Sequence, residues 1–222
     1  APDGTGLTTS HLLAYEGALG PLAQWLERIA DGRTTPAHRR FLSTKTVGGQ
    51  CKKLVDGPRA GSFPSTVAEV TAIRPLCKHN IIRRHIARTL ARAANIQHRA
   101  RLVQQHQYGS RPAGCELAAR RNQLYADLTT FAHLALDIVN AHTSISRMAV
   151  LEDILAHAQA TGASPNDQRQ LLYFLSYYTA AATTILLADG RVEAVYQTDG
   201  LDQGDGVATH NFNSPYSRRI AL

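Results

Sequence analysis

The segment LALDIVNAHTSISR, residues 134–147, places one carboxylate, Asp137, directly after a run of apolar residues. A carboxylate at the end of a buried strand can bind Mg²⁺, which prefers hard oxygen ligands. The same residue type is also a common helix cap and hydrogen-bond acceptor, and the hydroxyls of Ser144 and Ser146 follow it closely. The segment therefore predicts either a metal ligand or a structural acceptor at Asp137.

Basic side chains form a second candidate site, because the excess positive charge lies in one stretch of the chain. The 222 residues carry a net charge of +7, and residues 70–115 contain nine Lys or Arg and no Asp or Glu. The remainder holds 15 basic and 17 acidic residues. Arg84, Arg88 and Arg92 recur every fourth residue, which predicts a basic stripe along one face of a helix. Such a stripe is either a solvated helix face or a contact for a phosphate backbone.

Several kinds of site are disfavoured by the sequence. Cys51, Cys77 and Cys115 are odd in number and lack C-x-x-C spacing, which argues against a disulfide framework and a zinc site. A reducing, intracellular compartment is therefore expected. None of the ten histidines falls in an H-E-x-x-H pattern, and no apolar run reaches the ~18 residues of a membrane span. The first residue is Ala1 rather than Met, which leaves open whether a leader was removed.

Apolar periodicity predicts many helices and a few strands. The first helix should end at Gly32 and a short one should follow Pro36, whereas residues 43–64 have the composition of strands joined by turns. A hairpin is predicted around Asp189-Gly190, which suits a tight turn. The order of these helices and strands along the chain predicts an α+β fold, which is rich in helices and has a small, mostly antiparallel sheet. Further helices are expected over residues 64–76, 80–103, 115–128, 146–160 and 168–179, with a helical segment near the C-terminus and a buried strand over residues 131–139.

The predicted helix over residues 80–103 has an apolar face that includes Ile82, Ile86, Leu90 and Ala93. Ser164 should cap the helix that follows it. Aromatic residues Trp25, Tyr173, Tyr177 and Tyr178 stand at helical spacing, which favours packing over base stacking.

Four stretches carry a family resemblance when they are taken in order. The first joins LGPLAQWLERIADGRTTPAHRRFLSTK to KKLVDGPRAGSFPSTVAEV, the second is QYGSRPAGCELAARRNQL, the third surrounds Asp137, and the fourth is DGLDQGDGVATHNFN. Together they resemble the fingers and palm of a reverse transcriptase of the non-LTR retrotransposon type, over residues 19–222. The residues that match its motifs, besides Asp137, are Lys53, Gly57, Arg59, Pro64, Ser65, Thr66, Gly109, Gly114, Glu116, Gly200, Gln203, Gly204 and Asp205.

The resemblance implies roles for many of these residues. Catalysis in this family uses two metal ions, and Asp137 would be the first carboxylate ligand, with the Ile138 carbonyl as a further contact. Lys53 and Arg59 would hold a triphosphate; the alternative is a solvated hairpin. The turn at residues 203–205 would bind nucleotide or phosphate; the alternative is a plain surface turn. The basic residues implied to hold a template–primer duplex are Lys78, Arg83, Arg84, Arg88, Arg92, Arg99 and Arg101.

The chain departs from the family pattern at three places. His142 and Thr143 replace the aromatic residue and polar partner that follow the first carboxylate motif, and Gly206 replaces the proline of Gln-Gly-Asp-Pro. No Tyr-x-Asp-Asp hairpin follows the Gln-Gly-Asp turn within the 222 residues. These residues alone are therefore expected to lack polymerase activity and to bind no cofactor. If they are active, the expected cofactor is Mg²⁺.

Three functional hypotheses follow. The first is a degenerate reverse-transcriptase-like protein that contacts RNA or supports the structure of a larger, organellar ribonucleoprotein. The second is the N-terminal part of an active RNA-directed DNA polymerase that another chain completes, and the third is a protein-binding scaffold. The fingers-like region is predicted over residues 1–106 and the partial palm over residues 107–222. Other subunits are expected to cover an open sheet edge beside Asp137, in a mitochondrial or nuclear compartment.

Overall fold

The computed structural model describes residues 7–14, 16–54, 70–109, 112–126, 128, 130, 138, 140–179, 183–186 and 191–220. Helices dominate these residues, and a four-stranded sheet accompanies them. The strands are β1 (Lys45–Leu54), β2 (Val70–His79), β3 (Thr183–Leu186) and β4 (Val192–Val195). The helices are α1 (Thr9–Leu13), α2 (Leu19–Ala30), α3 (Pro36–Ser43), α4 (Ile81–Gln97), α5 (Arg99–Gln104), α6 (Gly114–Ala126), α7 (Ala141–Ser144), α8 (Arg147–Thr161), α9 (Pro165–Tyr178) and α10 (Ala208–Ile220).

The sheet has the strand order β2-β1-β3-β4. β1 pairs with β2 and β3 pairs with β4 in antiparallel fashion, whereas β1 and β3 are parallel. The predicted α+β class, with a small and mostly antiparallel sheet, is therefore confirmed. The predicted hairpin is also present as β3 and β4, while its turn dipeptide lies outside the described residues.

The helix predicted over residues 64–76 is wrong from Val70 onward, because that segment is strand β2. Val70 and Ile73 are β-branched, and the whole strand pairs with β1, from Lys45 opposite His79 to Leu54 opposite Val70. Hydrogen bonds to a strand far away in the chain thus decide a conformation that local periodicity leaves ambiguous. Residues 64–69, and all but Ile138 of the strand predicted over residues 131–139, lie outside the described residues.

Helix α4 lies at the centre of the core. The Asn80 side chain caps it by accepting a hydrogen bond from the Ile82 amide at 2.9 Å. Its buried face packs with helices α2, α3 and α9. The apolar face predicted from the sequence is confirmed by the burial of Ile82, Ile86 and Leu90. The helix ends at Gln97, so the single helix predicted over residues 80–103 is two helices joined at His98.

The C-terminal helices complete the core. Ser164 caps α9 as predicted, with a reciprocal pair of hydrogen bonds to Asp167. Helix α10 packs on α4, α7 and α8. No helix within the described part of the chain combines the length and apolar character that crossing a membrane requires.

Candidate functional site

The exposed face of α4 carries a row of three arginines. Arg88 and Arg92 are exposed, and Arg84 is half-buried. Successive members of the row are about one helical turn apart, which is about 6 Å along the helix axis. Within the described ranges, none of the three forms an ion pair with an Asp or Glu. We call these residues the arginine row. Because its charges are not neutralised by those residues, the row can accept anionic groups from outside.

The other predicted basic contacts differ in accessibility. Lys78 is half-buried at the end of β2, and Arg99 is exposed on α5. Arg101 faces inward, because its guanidinium donates to the Ser214 hydroxyl at 2.6 Å and lies 3.8 Å from the Asp153 carboxylate. Burial lowers the pKa of Arg101, while Asp153 opposes that effect. Arg101 therefore connects α5 to α8 and α10.

Arg83 is buried in the core, so its side chain is not exposed for the predicted contact with nucleic acid. Its side chain is 1% exposed, with Nη2 2.7 Å from Asp205 Oδ2 and Nε donating to the Tyr173 hydroxyl at 3.0 Å. The guanidinium also lies over the Tyr177 ring, 4.7 Å from its centroid. Burial acts to lower the pKa of Arg83, but the surrounding Tyr and Asp side chains raise it well above the ordinary value. Helical spacing places this arginine inside, where acids supplied by other segments compensate its charge.

Asp205, predicted to bind nucleotide or phosphate, is also enclosed, so its carboxylate is not exposed for that contact. The carboxylate is 1% exposed and accepts hydrogen bonds from Arg83, from the hydroxyls of Tyr173 and Tyr178, and from the Val207 amide. Burial acts to raise the pKa of Asp205, but Arg83 and the other donors hold it below its usual range. An acid with this set of donors is a structural acceptor and is not open to a ligand.

The rest of the predicted turn is attached to strand β2. The Gln203 carbonyl accepts a hydrogen bond from the Cys77 amide at 2.7 Å. Gly204 has a φ of 105°, and a Cβ at this position would lie 2.4 Å from the Cys77 carbonyl oxygen. The turn therefore packs closely against β2 and joins this strand to the segment that leads into α10. Gly204 itself is exposed and Gln203 is half-buried.

Asp202, which the sequence reasoning did not select, joins two basic side chains from the sheet. Its Oδ1 lies 2.5 Å from Lys45 Nζ, and its Oδ2 lies 2.9 Å from His79 Nε2. Burial acts to raise the pKa of Asp202, but His79, Lys45 and Arg83 hold it well below its usual range. Burial lowers the pKa of His79, so the imidazole is neutral near pH 7. Burial and the adjacent Asp202 also raise the pKa of the Cys77 thiol to about 11.

These five buried residues form one group, which we call the ion cluster: Lys45, His79, Arg83, Asp202 and Asp205. With His79 neutral, two carboxylates balance one ammonium and one guanidinium. Removal of one member of such a buried group typically costs 3–5 kcal/mol, because its partner charge is left uncompensated. The ion cluster therefore stabilises the junction of β1, β2, α4, α9 and the turn. It has no exposed group with which to bind a nucleotide.

A second buried arginine, also missed at the sequence level, anchors the segment that leads into this turn. Arg147 donates to the backbone carbonyls of Tyr178, Gln197 and Gly200. Burial lowers the pKa of Arg147, and Asp202 and Asp199 oppose that effect. No local sequence signal marks this role, because all three acceptors are main-chain atoms from distant segments.

Three predicted site residues remain without a described side chain. Asp137 and Arg59 lie outside the described residues, and Lys53 is described only through the backbone of β1. Among the side chains that the structure describes, no group of three or more His, Cys, Asp or Glu residues is arranged to hold a metal ion. Asp137 as a Mg²⁺ ligand stays a prediction.

Comparison with protein-family models finds no family that matches this chain, and comparison with curated proteins finds no similar protein.

Proposed function

We propose that this chain is a reverse-transcriptase-like protein without polymerase activity of its own, which contacts RNA within a larger ribonucleoprotein assembly. The single observation that carries the proposal is the arginine row on α4, which is free of acidic partners among the described residues. Arg99 and Lys78 lie on neighbouring elements and extend the basic region. The resemblance of the motifs suggests the reverse-transcriptase family. The concentrated positive charge suggests an anionic partner such as RNA.

The ion cluster supports a non-catalytic role for the fourth motif. Asp205 stands in the Gln-Gly-Asp turn, yet both of its oxygens are used by Arg83, Tyr173, Tyr178 and Val207. A carboxylate engaged in this way stabilises the fold around the arginine row. The turn also packs directly on α4, because a Cβ at Gly206 would lie 2.8 Å from the Arg88 amide nitrogen. The motif thus positions the helix that presents the row.

The proposal is tested by the salt dependence of RNA binding. Each phosphate neutralised on a single strand contributes about −0.7 to the slope of log K against log salt, so three arginines contribute about −2. The triple variant Arg84→Gln, Arg88→Gln, Arg92→Gln should therefore bind a single-stranded RNA more weakly, with a slope shallower by about 2. The matched control removes three exposed arginines elsewhere, Arg28→Gln, Arg33→Gln and Arg40→Gln, and should retain most of the slope.

Two results would overturn the proposal. An unchanged slope in the row variant, with its fold intact by circular dichroism, would show that α4 does not contact the RNA; a protein-binding scaffold would then be favoured if the assembly still forms. Template-dependent nucleotide incorporation by the unaltered chain would show that catalysis is retained. Incorporation that appears only when a second chain is added would favour the split-polymerase alternative.

A further inference from the structure

Three histidines from three separate parts of the chain are in contact with one another in the described fold. His98 follows the last residue of α4, His157 lies on α8 and His210 on α10. His98 Nδ1 and His157 Nε2 are in hydrogen-bond contact, and the ring centroids are 3.8 Å apart at 74°. The His210 ring stacks on His98 with centroids 5.7 Å apart. We call this group the histidine cluster.

The histidine cluster lines a small, partly open cavity of about 10 Å³, which is room for about one water molecule. His98 and His210 are 3% and 4% exposed. A space of this size excludes an organic ligand. The role of the three imidazoles must therefore be sought in their contacts with one another and with the helices that carry them.

The docked contacts favour uncharged imidazoles. The bond between His98 and His157 needs one N–H and one lone pair, and protonation of both rings would direct two N–H groups at each other. His210 Nδ1 donates to Asn95 Oδ1 at 2.9 Å. A proton added to His98 or His210 places a positive charge on a ring that is almost entirely buried.

The charged groups that face the cluster do not supply a surplus of negative charge. They are Asp153 on α8, Asp167 on α9, Arg101 on α5 and Arg218 on α10. Asp153 is paired with Arg101 at 3.8 Å. Asp167 lies 3.4 Å from His98 Nε2 and could support one charged imidazole, but it also accepts hydrogen bonds from Thr161, Ser164 and Gln97. Two carboxylates balanced by two arginines leave additional imidazolium charges uncompensated.

The expected titration agrees with this geometry. Burial, with the adjacent His157, lowers the pKa of His98 to about 4. Burial, with the adjacent His98, lowers the pKa of His210 to about 3, and burial also lowers the pKa of His157. When α10 leaves, His210 and the parts of His98 and His157 that the helix covers are exposed to solvent, which moves their pKa values back toward the ordinary value of about 6.5. The open state therefore binds more protons than the docked state below that pH, and acid favours opening.

Polar contacts hold helix α10 to its neighbours, together with Ala208 and Phe212, which pack with the hydrophobic core. The Gln170 side chain donates to Asn211 at 2.8 Å, Arg101 donates to Ser214, and Gln107 donates to Ser217 at 3.2 Å. When the helix separates, the polar groups of this interface can bind water instead. The buried polar side chains of α10 are His210, Asn211, Asn213, Ser214 and Ser217.

We propose that the histidine cluster is an acid-sensitive lock, which docks α10 on α4 and α8 at neutral pH and releases it in mild acid while the ion cluster stays formed. The inference does not depend on RNA binding. It concerns contacts on another face of α4 and is tested with the protein alone.

Hydrogen exchange at pH 7.5 and 5.5, corrected for the intrinsic pH dependence, tests the lock. For each histidine that is protonated only in the open state, the opening equilibrium of α10 should rise by about tenfold between these pH values. Amides of residues 81–90 and 173–178, beside the ion cluster, should keep their protection. Equal protection of α10 at both pH values would overturn the proposal, and so would a loss shared equally by all these segments.

A variant and a control isolate the histidines. His157→Gln keeps a side-chain donor for His98 but cannot be protonated, so its acid-induced loss of α10 protection should be smaller than that of the unaltered protein. His38→Gln, at an exposed position on α3, should behave like the unaltered protein. If His157→Gln does not fold, NMR titration of the cluster histidines in the unaltered protein tests the proposal instead. Cluster histidines that titrate near pH 6.5 with α10 still docked would contradict the lock.

Discussion

At the scale of single residues, Asp205 is the acceptor on which the ion cluster most depends. Its two oxygens accept hydrogen bonds from the Arg83 guanidinium at 2.7 Å and from the Tyr178 hydroxyl at 2.8 Å, besides Tyr173 and the Val207 amide. Each of these donors is buried, so none can turn to water if the carboxylate is lost. The Asp205 side chain therefore joins helices α4 and α9 to its own loop, because it accepts hydrogen bonds from four donors on these elements.

Asp205→Ala should destabilise the fold by about 3–5 kcal/mol, because the Arg83 charge would remain buried without its closest partner. Urea unfolding followed by circular dichroism measures this loss. The control is Glu152→Ala on the exposed face of α8, which should change the free energy of unfolding by less than about 0.5 kcal/mol. A loss below 1 kcal/mol in Asp205→Ala would mean that the ion cluster contributes little to stability.

At the scale of elements, the arginine row depends on the junction between strand β2, the turn at residues 202–206 and helix α4. The Cys77 amide donates to the Gln203 carbonyl, and Gly206 lies against the α4 backbone at Ala87 and Arg88. A change in the turn is therefore transmitted to the helix that presents the basic side chains.

Gly204→Ala should destabilise the protein and weaken RNA binding together. The backbone at this position has a φ of 105°, and the added Cβ would lie 2.4 Å from the Cys77 carbonyl oxygen, so the turn must move. A loss of about 1–3 kcal/mol is expected from urea unfolding. Gly20 lies at an exposed position on α2, where a Cβ would meet nothing within 4 Å. Gly20→Ala should therefore leave the free energy of unfolding unchanged or raise it slightly. Equal effects of the two substitutions would contradict the proposed fit of the turn.

Elements with strong local signals could be predicted from the sequence, and pairings between distant segments could not. The apolar spacing of Ile82, Ile86 and Leu90 fixes the buried face of α4, and Ser164 caps α9 as expected. Local periodicity favours a helix where strand β2 forms, because the conformation of this strand depends on pairing with β1. For the same reason no local pattern marks Asp202, whose partners Lys45 and His79 meet only across that strand pair. The basic stretch around Arg83 suggests a surface position, because the acids that compensate this arginine are more than 100 residues away in the chain.

At the scale of the whole molecule, the ion cluster and three tyrosines of α9 form the closed centre of the described fold. Tyr173 and Tyr178 donate to Asp205, and the Tyr177 ring covers the Arg83 guanidinium. Burial raises the pKa of Tyr177 to about 12, and it raises those of Tyr173 and Tyr178 well above their ordinary value. The three phenols therefore stay protonated while the fold is intact and ionise when the centre is exposed to water.

Alkaline pH should consequently unfold the protein in step with the ionisation of these tyrosines. A group whose pKa is raised by folding stabilises the native state below its unfolded pKa, about 10 for tyrosine, and that contribution is lost as the pH rises through the folded value. Tyrosinate absorbance should rise in two phases, with the second coinciding with loss of the circular dichroism signal near pH 12. Tyr177→Phe keeps the ring over Arg83 and removes one ionisable group, so its free energy of unfolding should fall less steeply above pH 10. The control, Tyr196→Phe at a position that is 75% exposed, should leave that slope unchanged. A single tyrosine phase that ends before the fold is lost would show that water reaches the centre of the native protein.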